Sequence, residues 1–255
     1  MISPAHLAAF AAALVAGAIN SVAGGGTLIT FPVLIWIGLP SVTANATSTV
    51  AIWPGSLGSI GGYRRELKGL TSSSYVLIVP SAAGGIIGAV LLRMTPAHVF
   101  DRLVPLLILF ATFLFMLQEP VTRLIRRGAT DGNAGGRGWV MGAIVFQFFV
   151  ALYGGYFGAG IGILMLAALG ILGYTDIHQM NGLKNLLALA INGVAALYFI
   201  SMAMVRWPEA IIMAVGAIAG GYGGAGLARK IGAQGVRRIV IIIGFGMTLS
   251  LLLRR

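Results

Sequence analysis

Long apolar stretches follow one another along the chain at residues 5–22, 43–62, 74–92, 103–118, 139–156, 179–200, 208–228 and 236–253, with short polar gaps between them. Most approach the roughly 20 residues that a helix needs to cross the hydrocarbon of a bilayer. The pattern therefore predicts an all-α integral membrane protein with about eight spanning helices. Two further apolar runs are shorter: TLITFPVLIW at 27–36 and ILMLAALGIL at 163–172. A helix of that length covers only about 15 Å at 1.5 Å per residue, so both are predicted to be re-entrant or broken half-helices. The polar, Gly-rich and basic stretch 119–138 reads as a flexible linker. It separates a first transmembrane region, 1–118, from a second, 139–255.

The two regions resemble each other. A shift of 136 residues lays 79–104 on 215–240 with 11 of 26 positions identical, among them Gly84 with Gly220, Gly85 with Gly221, and Arg93 with Arg229. The same shift pairs Asn45 with Asn181, and a shift of 134 lays GGGTL (24–28) on GAGIG (158–162). An internal duplication of this kind is a common plan of secondary transporters. With re-entrant short segments each repeat crosses four times, and the side of the termini carries ten Lys/Arg against six. The alternative is five crossings per repeat in inverted orientation, with eleven against five and the termini outside. The positive-inside rule leans toward the second.

Composition agrees with the membrane reading. The chain is 58% hydrophobic and 9% charged, with a mean hydropathy of +0.95, whereas soluble domains are roughly a quarter charged. The net charge of +11 sits almost wholly in the gaps between apolar runs, as topology signals do. It forms no basic module that would read nucleic acid. The absence of cysteine excludes disulfides and thiolate chemistry. The N-terminal run lacks the positive n-region of a cleavable signal and reads as a retained helix.

Candidate chemistry gathers at the two Gly-rich breaks. Unpaired backbone is tolerated in a membrane only where protein buries it or a wet cavity meets it, and matched breaks in two repeats point to a central site. Gly24, Gly25, Gly26, Gly158 and Gly160 let the backbone approach a ligand, and free amides at a helix N-terminus favour an anion. The competing role is close helix crossing, which is also the reading for Gly84, Gly88, Gly220 and Gly224. A nucleotide phosphate loop would need a lysine after its last glycine, and neither break has one.

Asn45, Thr47, Ser48 and Thr49 form a polar cluster at one helix start, and Asn181, Lys184 and Asn185 form its counterpart. Lys184 stands out, since an intramembrane cation costs roughly 2.5–3.5 kcal/mol on insertion scales. It either supplies charge to an anion or snorkels to the headgroups. Asp176 and His178, just before that helix, are candidates for carrying a coupling ion, or else helix caps. Asn20, Gln147 and Asn192 either serve a site or satisfy helix–helix hydrogen bonds. Tyr153 and Tyr156 precede the second break as candidate cavity residues. The six acidic residues lie in loops or at segment ends, and the three histidines are scattered. Neither a catalytic constellation nor a metal or cofactor site is expected, so the chain is not read as an enzyme.

NSVAGGGTLITFPVLIWIGLPSVTANATSTVA (20–51), its weaker copy at 154–188 and the duplicated layout resemble the TauE/SafE sulfite-exporter family, over essentially the whole chain. The resemblance implies a multi-pass permease of the bacterial plasma membrane for sulfite, sulfonates or related small anions. It also implies coupling to an ion, a proton or sodium. The expected partners are the anion and membrane lipids, and a homo-oligomer is compatible with the sequence. An anion channel is the first alternative, a membrane-embedded enzyme the second. The second repeat carries Leu183 and Lys184 where the first has Thr47 and Ser48, so a symmetric site would be chemically asymmetric.

Overall fold

The structure is a computed structural model that describes residues 3–22, 24–62, 75–128, 137–172, 174 and 176–253. All regular structure among them is helical: α1 Pro4–Val22, α2 Thr27–Trp36, α3 Ser41–Gly62, α4 Ile78–Met94, α5 Ala97–Gly128, α6 Arg137–Tyr156, α7 Ile161–Ile171, α8 Ile177–Ser201 and α9 Trp207–Leu253. The two short apolar runs form the short helices α2 and α7, of 10 and 11 residues. Two stretches among the described residues, Ala97–Leu117 and Gln179–Ser201, are long and apolar enough to cross a bilayer, and shorter apolar helices surround them. The outer surface carries exposed Val79, Phe149, Leu197, Ile211 and Ile242. Lipid tails accommodate such side chains, and water disfavours them.

Two expectations are corrected. Residues 119–128 of the linker continue α5 as helix, because Leu, Ile and Arg there are good helix formers; positions 129–136 lie outside the described residues. The runs 208–228 and 236–253 belong to one continuous helix, α9. In the first half Pro96 separates α4 from α5, since a proline lacks the amide that would continue the ladder. The aligned position in the second half is Gly232, which keeps its amide.

The helices interleave. α4 packs on α6 and α8, while α9 packs on α1, α3 and α5, so the fourth apolar segment of each half covers the other half. Small residues permit these crossings. A Cβ on Gly84 would meet the Phe148 carbonyl and one on Gly220 the Leu14 carbonyl, both well inside contact distance. A Cβ on Gly85 would likewise lie 3.0 Å from the Ile191 carbonyl, and one on Gly221 3.1 Å from that of Gly55. Where α3 meets α8, Trp53 Nε1 donates to the Leu189 carbonyl (3.3 Å). α2 folds back on α3 through a Thr30–Ser48 hydroxyl pair at 2.6 Å.

Candidate functional site

The first break is closed by a side chain. Asn20 stands near the end of α1, and its Oδ1 accepts from the Gly25 and Gly26 amides, each at 2.8 Å. Those two amides, read from sequence as anion donors, are thus engaged by the protein itself. Gly24 takes φ +70°, a conformation that costs other residues about 1–2 kcal/mol, and it turns the chain toward α2. The second break is built differently. Gly158 and Gly160 take φ +80° and +77°, and the Tyr153 hydroxyl donates to the Ala159 carbonyl (2.8 Å). Position 154, which aligns with Asn20, is glycine, so this break has no matching side-chain clamp.

The breaks face each other. A Cβ on Gly24 would lie 3.5 Å from Gly162 Cα, and one on Gly158 would lie 3.9 Å from both Thr27 Oγ1 and Asn192 Oδ1. Between them is a cavity of about 40 Å³. Asn20, Gly24 and Thr27 line it from the first break, and Gly158, Ile161, Gly162 and Met165 from the second. Ile52 and Ser56 of α3 and Lys184, Asn185, Ala188 and Asn192 of α8 complete the wall. The α7 N-terminus opens here with Ile161 and Gly162, first-turn residues whose amides have no intrahelical acceptor.

Lys184 decides the chemistry. It is 2% exposed, so it is enclosed by protein rather than snorkelling. Its Nζ donates to Asn181 Oδ1 at 3.0 Å, a neutral acceptor one turn earlier on α8. Asn185, 6% exposed, lines the same cavity, and its Nδ2 has no hydrogen-bond partner among the described residues. Lys184, Asn185 with its unpartnered amide donor, Thr27 and Ser56 line a space that no carboxylate lines among the described residues. That donor excess suits an anion.

The other candidates lie elsewhere. Gly25 packs on the Phe115 ring and Gly26 on the Ala16 carbonyl, while Gly160 lies over Ala111 and Leu114. Asn45 Nδ2 donates to the Tyr156 carbonyl (2.9 Å), Thr47 Oγ1 accepts from the Arg206 amide (3.0 Å), and Thr49 bonds back to the Asn45 carbonyl (3.0 Å). With Ser48 on Thr30, the first polar cluster holds helices together. Gln147 donates to Ser81 Oγ (2.9 Å) across α6 and α4. Tyr156 meets the Thr95 hydroxyl at 3.3 Å. Asp176 is exposed before α8 and does not line the cavity, and the His178 side chain lies outside the described residues.

Thr27, Ser56, Ile52, Ala188 and Met165 are cavity residues that the sequence reading passes over. A signal for them exists: Ile52 and Ser56 are four apart on one helix face, and shifting them by 136 gives Ala188 and Asn192. A search for polar side chains alone misses such a face.

Residues 9–251 match the family model described as sulfite exporter TauE/SafE. A probable membrane transporter protein of Haemophilus influenzae is 28% identical over 94% of this chain and 91% of its own length. Similar proteins of the same description occur in Escherichia coli K12 (28% identical, 99% of this chain and 91% of the relative) and in a Sinorhizobium species (25%, 97% and 93%). No solved structure matches the chain.

Proposed function

The chain belongs to the sulfite exporter TauE/SafE family, and on that premise we propose that it is a secondary carrier of a small anion: sulfite, a sulfonate or a related sulfur oxyanion. The observation that carries this reading is the cavity itself. It joins both glycine breaks to buried Lys184 and to the unpartnered Asn185 Nδ2. A buried cation left without a counter-charge is costly, and an arriving anion removes that cost.

The carrier works by alternating access, with one repeat rocking against the other around the site. Support for two repeats comes from the packing. The Gly84–Phe148 and Gly220–Leu14 contacts, and the Gly85–Ile191 and Gly221–Gly55 contacts, are related by the same offsets of 134 and 136 residues that align the sequence. The membrane is the bacterial inner membrane, and a proton or sodium ion couples transport.

Proteoliposomes containing the purified chain test the proposal. A carrier gives saturable uptake and counterflow of labelled sulfite, stimulated by an imposed proton or sodium gradient. Ionic current that rises without saturation, with no counterflow, would instead identify a channel.

A further inference from the structure

Resting on the carrier reading above, we propose that the cavity between the two glycine breaks selects a monoanion of about five heavy atoms or fewer, and rejects both dianions and larger organosulfonates. Size and charge argue for it separately.

The cavity measures about 40 Å³, far below the roughly 300–1,000 Å³ of pockets that take drug-sized ligands, a scale that suits a compact oxyanion. The walls that an aromatic or long-chain sulfonate would have to displace are Ile52, Ile161 and Met165, all nine-tenths or more buried. Ile161 stands at the second break itself, Met165 one turn further along α7, and Ile52 on α3. Gly158 already has the Gly154 carbonyl 3.1 Å from where a Cβ would stand.

Among the described residues Lys184 is the one formally charged residue lining the cavity, and its side-chain partner Asn181 is neutral. Among the described carboxylates, Asp101 lines a different cavity, Asp176 is exposed, Glu209 faces Arg206 at 3.6 Å, and Glu119 on α5 does not line this cavity. A monoanion thus leaves a neutral buried cluster. A dianion leaves one net negative charge in low dielectric, met only by neutral donors. Asn192 also lines the wall, its Oδ1 3.9 Å from where a Gly158 Cβ would stand, and so offers an acceptor for the O–H of a protonated oxyanion. Sulfite is accordingly carried as hydrogen sulfite, and its uptake rises as pH falls.

The experiment is competition against labelled sulfite uptake in proteoliposomes of the full chain, with two matched pairs. Perchlorate and sulfate share a tetrahedral shape and differ by one charge. Methanesulfonate and para-toluenesulfonate share a charge and differ in bulk. Perchlorate is expected to compete better than sulfate by about tenfold or more, the least that one uncompensated buried charge imposes. Methanesulfonate should compete while para-toluenesulfonate does not. If sulfite uptake saturates but sulfate equals perchlorate, or para-toluenesulfonate equals methanesulfonate, the selectivity proposal fails and the carrier reading stands. If no saturable sulfite uptake occurs at all, the carrier reading falls and takes this proposal with it.

Discussion

Replacing Lys184 with methionine separates a functional cation from a structural one, because the two roles predict opposite signs. The ammonium is 2% exposed and has a neutral side-chain acceptor at 3.0 Å. Removing the lone buried charge relieves a desolvation cost of several kcal/mol, against about 1–3 kcal/mol for the Asn181 Oδ1 that loses its donor. The ligand-free variant should therefore melt at or above the temperature of the native chain. Loss of a charge-assisted hydrogen bond removes about 1.5–3 kcal/mol of anion binding, or roughly ten- to a hundredfold in Kd. Since a ligand stabilises the state it binds, the sulfite-induced rise in melting temperature at a fixed sulfite concentration should shrink as well. Thermal unfolding of detergent-solubilised protein with and without sulfite, paired with uptake into proteoliposomes, reads both effects. The reasoning is refuted if Lys184→Met melts lower without anion, or if it remains folded and takes up sulfite at the native rate.

Other substitutions probe the rest of the site. Asn20→Asp keeps an acceptor for the Gly25 and Gly26 amides but puts a negative charge on the cavity wall; folding should persist while sulfite affinity drops by about tenfold or more, measured by the thermal shift. Ser48→Ala removes the 2.6 Å bond to Thr30, so chemical or thermal unfolding should report a loss of about 1 kcal/mol with an unchanged KM for uptake. Gly158→Ala forces a side chain onto φ +80° beside Thr27 and Asn192. About 1–2 kcal/mol of strain is expected, together with a raised KM for sulfite. Gly220→Leu drives a side chain into the Leu14 carbonyl, and size-exclusion chromatography should find little monodisperse protein because α1 and α9 can no longer meet.

Much of the fold is legible along the chain because it depends on local properties. Length and apolarity alone predict α2 and α7 as short helices, since a ten-residue run is short wherever it sits. The pairing of the two glycine breaks is legible too, because a duplication repeats its bends. Helix ends are less so. The polar gap at 229–235 reads as a boundary, yet the backbone continues as α9, since its Arg, Lys, Ala and Gln are good helix formers and each glycine weakens a helix by only about 1 kcal/mol.

The sequence by itself determined that this chain is an apolar, helical membrane protein whose halves align with each other, with a buried-cation candidate at Lys184. Those conclusions rest on composition, periodicity and self-alignment, which need no partner. Only the tertiary structure decided which polar residues meet. Asn45 and Asn181 are equivalent by alignment, but Asn45 reaches a carbonyl 111 positions away while Asn181 steadies Lys184. The Gly25 and Gly26 amides look free until Asn20 is seen to occupy them. A hydrogen-bonding group carries the same label in any sequence; whether it is spent on the fold or left for a ligand depends on what the rest of the chain brings within 3 Å or so.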